Sequence, residues 1–237
     1  MKIALLGHGA MGSVVEALAK SEGHSIGLSL TDADAGRAVE NLTEQLRGHD
    51  VAIDFSVADA VLKHTTACVQ AHVPLVEGTT GWRSFEAEVV KIVRQEEGSM
   101  VYGANFSIGM NVFYRMVEHA AKLFQRFDTY APFIEEAHHS RKRDSPSGTA
   151  LRLRDLMAPC LNREIPIAST RAGHIPGIHR VGFDGPSDQI QLVHTARSRE
   201  GFAAGALLAA HWIVGRKGVF QFSEVMDEII ENQRTVS

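Results

Sequence analysis

Between Glu135 and Ala150 the chain reads E-E-A-H-H-S-R-K-R-D-S-P-S-G-T-A. Two adjacent histidines, His138 and His139, stand beside the cations Arg141, Lys142 and Arg143 and a Ser147-Gly148-Thr149 turn. Histidine has the side-chain pKa nearest neutrality and suits proton transfer. The cations supply fixed positive charge. Ser-Gly-Thr has the composition of a helix N-terminus, whose unpaired backbone N–H groups receive anions. A proton donor, a cationic clamp and an anion cradle on one segment point to chemistry on a small polyanion. An extended chain sends His138 and His139 to opposite sides, so that one can serve chemistry while the other orients or binds. A bland alternative is a pair of surface histidines beside a solvated basic run. No metal site is expected, because no carboxylate or cysteine has ligand spacing and His174 and His179 are weakly patterned.

The elements that must position this segment are legible to different degrees. At 237 residues, 44% hydrophobic and 22% charged, the chain suits an ordinary globular protein with room for one large domain or two modest ones. A net charge of −4 argues against bulk nucleic-acid binding. Cys68 and Cys160 lie far apart without metal-type spacing, and a reducing, cytoplasmic setting is the simplest account of them. The apolar start Lys2–Leu6 is broken by Gly7, Gly9 and Gly12 too early for a signal peptide, so it reads as a strand. The apolar stretch 202–215 contains His211 and is too short to span a bilayer, so no membrane partner is expected.

In the first hundred residues, strand cores at Ile3–Leu6, Ser25–Leu30, Val51–Phe55, Leu75–Val76 and Met100–Tyr102 alternate with helices at 11–19, 37–46, 58–70 and 85–97. That alternation predicts an α/β fold with a parallel sheet covered on both faces. The first turn, Gly7-His8-Gly9-Ala10-Met11-Gly12, is a G-x-G-x-x-G between strand and helix. Asp32 follows at the end of the second strand, where a ribose-binding carboxylate stands in dinucleotide folds. Gly7, His8, Gly9, Ala10, Met11, Gly12 and Asp32 are therefore candidates for binding a nicotinamide dinucleotide. A carboxylate at Asp32 favours or at least tolerates NADH, since it would repel the 2′-phosphate of NADPH. Arg37, the nearest cation, is expected inside the next helix. Gly78-Thr79-Thr80 and Gly103-Ala104-Asn105-Phe106 follow two further strands at the ligand-binding carboxyl edge, although each could be a plain turn.

Beyond Asn105 the pattern changes. Val112, Phe113, Met116, Val117, Ala120, Leu123, Phe124 and Phe127 recur at helical spacing and predict a long helix whose apolar stripe is core. A strand at 131–136, a helix from Thr149 to near Pro159, and strands at 167–171, 178–183 and 190–196 predict a mixed or antiparallel second domain. A helical tail over 201–233 follows.

The central segment resembles the signature of the bacterial dihydrodipicolinate reductase family, E-x-H-H-x-x-K-x-D-x-P-S-G-T-A. It is met at Glu136, His138, His139, Lys142, Asp144, Pro146, Ser147, Gly148, Thr149 and Ala150. The likeness extends to Gly7–Gly12, Ile53-Asp54-Phe55, Gly78–Gly81, Ala104–Ser107, Arg171-Ala172-Gly173 and Phe202–Ala206. It implies a Rossmann-like dinucleotide-binding domain over 1–107 with 200–237. A substrate-binding and tetramerisation domain with a mixed open sheet would cover 108–199, with hinges near Ser107 and Arg199. It implies NADH- or NADPH-dependent reduction of 4-hydroxy-tetrahydrodipicolinate, a cyclic dicarboxylate, in lysine and diaminopimelate biosynthesis, by a cytoplasmic homotetramer. His138 would be the general acid and Lys142 would bind substrate and assist protonation. His139, Ser147, Gly148 and Thr149 would hold the substrate's carboxylates, while Gly78–Thr80 and Gly103–Phe106 would flank the nicotinamide. Relatives often carry an additional stretch between the second and third strands and a basic residue directly after the second strand, and this chain lacks both, which bears on coenzyme preference. Two other classes fit parts of the sequence: an aspartate or homoserine dehydrogenase-like enzyme, and a non-catalytic dinucleotide sensor. Neither accounts for H-H-x-x-K joined to P-S-G-T.

Overall fold

The apolar runs of the first hundred residues are nearly continuous because their strands are covered on both faces. In the computed structural model, which describes residues 1–34 and 36–232 (the side chain of Asp32 excepted), they form β1 (Lys2–Leu6), β2 (Ser25–Leu30), β3 (Val51–Asp54), β4 (Leu75–Glu77) and β5 (Ser99–Tyr102). Every residue of β3 and β4 is buried. The chain divides into two units, 1–108 with 199–237, and 109–198.

The first unit holds a six-stranded sheet in the order β10-β5-β4-β3-β1-β2, where β10 is Gly218–Gln221, with parallel pairing throughout. Helices α1 (Gly12–Ser21), α2 (Val39–Leu46), α3 (Val61–Gln70) and α4 (Glu86–Gln95) connect the strands. Two apolar layers sandwich the sheet. One joins Val15 and Ala19 of α1 to Ala203, Ala206 and Phe222. The other joins Leu42, Val61, Cys68, Val89 and Val93 of α2, α3 and α4. Arg37 lies in the connection before α2 instead of inside it, held by Asp34 at 2.5 Å.

The second unit is built on a four-stranded sheet ordered β7-β6-β8-β9, from β6 (Ala131–His138), β7 (Ile167–Arg171), β8 (Ile178–Asp184) and β9 (Gln189–Thr195). β6 runs parallel to β7 and antiparallel to β8, and β8 antiparallel to β9, so the sheet is mixed. The alternating burial along β6 assigns its faces. Pro132, Ile134, Glu136 and His138 are buried, and Phe133, Glu135 and Ala137 are partly exposed. The buried face carries the core shared with α5 (Ile108–Phe124) and α6 (Gly148–Leu161).

Three further expectations are corrected. The buried side of α5 is Met110, Phe113, Val117 and Ala121, whereas Val112, Met116, Leu123 and Phe127 are exposed. Apolar type at three- and four-residue spacing marked two adjoining stripes, and only one faces the sheet. Helix α6 continues through Pro159 to Leu161. Proline removes one N–H and crowds the preceding turn. Here the exposed ring sits in the last turn, where buried Leu161 anchors the end and Asn162 closes it in the left-handed conformation. The C-terminal tail is not one helix. α7 (Glu200–Ile213) gives way to β10 (Gly218–Gln221), an edge strand beside β5, and then to α8 (Phe222–Asn232). Gly215 and Gly218, both at positive φ, break the helix where the chain turns back into the sheet. Gln233 lies outside the described residues.

Candidate active site

Strand register gathers the polar side chains of the second unit. On the helix-covered face, Glu136 of β6 stands opposite His179 of β8, which stands opposite His194 of β9, and His138 stands beside Arg171 of β7. The N-terminus of α6 meets this row. Ser147 accepts from the Ala150 N–H as the helix cap, donates its own backbone N–H to Glu136 Oε1 at 3.1 Å, and places its hydroxyl 3.3 Å from His179 Nε2. Since that hydroxyl already accepts from Ala150, it is the natural donor to His179, which keeps the second imidazole nitrogen protonated.

Glu136 is the hub. Arg171 donates to Oε1 at 2.7 Å. His138 Nδ1 lies 2.5 Å from Oε2, close enough for an ion pair but not aligned as a linear hydrogen bond. Burial alone would raise the Glu136 pKa, but Arg171, Ser169 and Ser147 outweigh it and bring it down to about 2. His138 is pushed below its ordinary value by burial, with Lys142 and Arg171 adding to the effect and Glu136 opposing it. His179 falls to about 4, chiefly through burial, with His138 adding repulsion across a 5.0 Å edge-on ring contact. Glu136, His138 and His179 bring ligand-type atoms within 4.8 Å of one another, so His179 joins the cluster despite its weak sequence pattern. Glu136 is already engaged by Arg171, Ser147 and His138, and we read the trio as a charge-balanced proton site.

His139 follows the last residue of β6 and is half-buried, with its Nδ1 enclosed and unpaired. Lys142 lies 2.8 Å from Asp144, whose second oxygen receives the Gly148 N–H at 3.4 Å. Thr149 follows in the first turn of α6, at the helix end whose dipole attracts anions. The structure thus brings His138, Lys142, Ser147, Gly148 and Thr149 to one end of one sheet. Sequence reasoning gave no role to Glu136, Arg171 or His179, and their signal was only a place in the recognisable motifs or, for His179, none.

In the first unit the Gly7–Gly12 turn joins β1 to α1. A Cβ at Gly12 would lie 2.2 Å from the Gly7 carbonyl oxygen, while one at Gly9 would meet nothing within 4 Å. Close packing at one glycine and open space at another form a cradle that fits a pyrophosphate. His8 turns its ring to Glu16 at 2.5 Å. A cavity of about 380 Å³ opens beside the turn. Of the expected residues it takes Met11, Gly78, Thr79, Thr80, Ala104 and Phe106. Gly103 donates its N–H to the Glu77 carbonyl, and the Asn105 side chain accepts from the Ser107 N–H, so both shape the rim's turns. Phe55, Ser56, Arg199 and Phe202 also line the cavity. The first two follow β3 at the same carboxyl edge that singled out the turns after β4 and β5, so strand position could have found them. Asp32 begins a short 3-10 turn after β2, and its side chain lies outside the described residues.

A parallel-sheet unit with a glycine cradle and a cavity at its carboxyl edge, and a separate mixed-sheet unit bearing an acid–base cluster, define a two-unit α/β oxidoreductase. Family models described as Dihydrodipicolinate reductase match residues 1–106 (its N-terminus) and 109–226 (its C-terminus). The chain belongs to the dihydrodipicolinate reductase family. It is 37% identical to the 4-hydroxy-tetrahydrodipicolinate reductase of Christiangramia forsetii, over 98% of this chain and 100% of that protein. It is 34% identical to the Methanosarcina mazei protein of the same name, over 85% of this chain and 81% of that one. In fold it resembles the dipicolinate-bound dihydrodipicolinate reductase of Paenisporosarcina sp. TG-14, with a TM-score of 0.78 and 22% identity over 93% of this chain and 97% of that one.

Proposed function

We propose that the chain reduces 4-hydroxy-tetrahydrodipicolinate to tetrahydrodipicolinate with a reduced nicotinamide dinucleotide, in lysine and diaminopimelate biosynthesis. The observation that carries this reading is the convergence of His138 and the N-terminus of α6 on Glu136, with Lys142 paired to Asp144 at the same helix end, in a member of this family. The substrate is a cyclic dicarboxylate with a C=N bond. Lys142 and the amides of Gly148 and Thr149 would receive its carboxylates, with the imidazole of His139 beside them. Ser147 serves by capping α6, since its hydroxyl is buried and committed to Ala150 and His179. His138 would deliver the proton that quenches electron density built up in the conjugated system, held at Nδ1 by Glu136, which Arg171 in turn holds through its other oxygen.

The glycine turn with Gly78–Thr80, Ala104 and Phe106 would hold the dinucleotide, which when bound supplies the hydride. NADH is favoured or well tolerated on this reading. Asp32 supplies a ribose-type carboxylate, and Arg37 is engaged by Asp34 and Gln45 instead of standing open for a 2′-phosphate. The first unit is then the dinucleotide-binding domain and the second the substrate domain, with hinges near Ser107 and Arg199. The partly exposed sheet face bearing Phe133, Ile178 and Val193 would build a homotetramer in the cytoplasm.

The test is oxidation of NADH and of NADPH, in parallel, with substrate made in situ from pyruvate and aspartate semialdehyde by its synthase. Substrate-dependent oxidation is expected, with a ratio of specificity constants that favours NADH or leaves it comparable. Dinucleotide binding without turnover would instead support the sensor reading.

A further inference from the structure

Three buried titratable groups lie behind the cavity wall of the first unit, and the proposed chemistry uses none of them. Asp54 and Glu77 are the last residues of β3 and β4 and stand directly beside each other in parallel register. Both are fully buried. His64 of α3 reaches down to them, its Nδ1 2.6 Å from Asp54 Oδ2. Cys68, one helical turn further on, closes the space as a buried thiol.

What these groups hold is the cavity rim. Asp54 Oδ1 accepts the Ser56 N–H at 2.8 Å and the Thr79 hydroxyl at 3.3 Å. Glu77 Oε1 accepts the Thr79 N–H at 2.7 Å. Thr79 therefore bridges the two carboxyl groups, and Ser56 and Thr79 both line the cavity. Resting on the dinucleotide reading of that cavity, we propose that Asp54, Glu77 and His64 are positioning residues that set the Phe55–Ser56 and Gly78–Thr80 loops for the nicotinamide end of the coenzyme.

Two adjoining carboxylates do not both stay ionised in a dry interior. Burial, and next the charge of Asp54, push Glu77 well above its ordinary value. Glu77, set beside Asp54, is thereby biased toward its neutral form. The role needs an acceptor at the right reach for the Thr79 N–H and no second negative charge, and a glutamine side chain meets both requirements.

The experiment measures the dinucleotide Kd by direct titration, and KM and kcat separately, for wild type, Glu77→Gln, Glu77→Leu and Glu77→Asp. Leucine removes the acceptor and aspartate withdraws it by one methylene. Both should raise dinucleotide Kd and KM about tenfold or more, with kcat at saturating coenzyme within about threefold, while glutamine should stay within about twofold of wild type. If Glu77→Leu does not fold, Glu77→Asp carries the comparison. Wild-type dinucleotide affinity in Glu77→Asp, or a loss in Glu77→Gln as large as in Glu77→Leu, would overturn the proposal while leaving the dinucleotide reading intact. Failure of the wild-type chain to bind either dinucleotide would overturn both.

Discussion

His138 shows how a single residue's surroundings set its chemistry. Burial, Lys142 and Arg171 favour its neutral form, yet the proposed role requires a proton on it. A dianionic substrate brings opposite charge to the site and favours the imidazolium. The apparent pKa in the pH profile of kcat/KM, which reports the free enzyme, should therefore lie below the ordinary histidine value of 6.5. The kcat profile, which reports the complex, should show a higher value. Coincident profiles would remove the substrate's carboxylates from contact with this group. In the same vein, His138→Gln should lower kcat by about two to four orders of magnitude and leave dinucleotide Kd unchanged. Binding and rate measured on the same preparation separate the two effects.

At the scale of elements, the N-terminus of α6 joins stability to substrate binding. Ser147 caps the helix through Ala150, ties it to Glu136 through its backbone N–H, and orients His179. Ser147→Ala should destabilise the protein by about 1 kcal/mol for the lost cap, read from denaturant midpoints at constant slope. It should also raise substrate KM more than it lowers kcat, because the first-turn amides lose their register. Ser147→Asn, which keeps a capping oxygen, should recover most of the stability. Equal KM in all three proteins would show that the first turn does not touch substrate.

For the whole molecule, buried groups in the two units respond to pH with opposite sign. In the second unit the folded pKa of His179 is about 4 and that of Glu136 about 2, against unfolded values of 6.5 and 4.5. The unfolded chain binds more protons between these pairs of values, so stability falls as pH drops from 6.5 through 4 and on toward 2. Glu77 in the first unit has its folded pKa raised above 4.5, so the folded state binds the extra proton. Its contribution is complete below 4.5 and is lost as pH rises toward the folded value. Urea titrations across acidic pH should therefore show His179→Gln flattening the loss of stability between 6.5 and 4. A slope unchanged by that substitution would assign the acid sensitivity elsewhere.

The residue types and spacings determined a great deal alone. Period-two and continuous apolar runs placed nine of the strands to within a residue or two, and the glycine turn fell between β1 and α1 as expected. These features are local, because strand burial, turn geometry and helix capping are written in a few neighbouring residues. Local pattern failed where a distant contact decides. The outer stripe of α5 looked like core because spacing records apolar type and not which side faces the sheet. Pro159 was read as a stop because local sterics say so, while Leu161's place in the core holds the last turn. β10 is too short to be read apart from its partner, since its hydrogen bonds lie on β5. The cluster around Glu136 and the trio behind the cavity belong to the same class. Opposition of Glu136 to His179, or of Asp54 to Glu77, is a matter of strand register, and register is fixed only when separate strands pair.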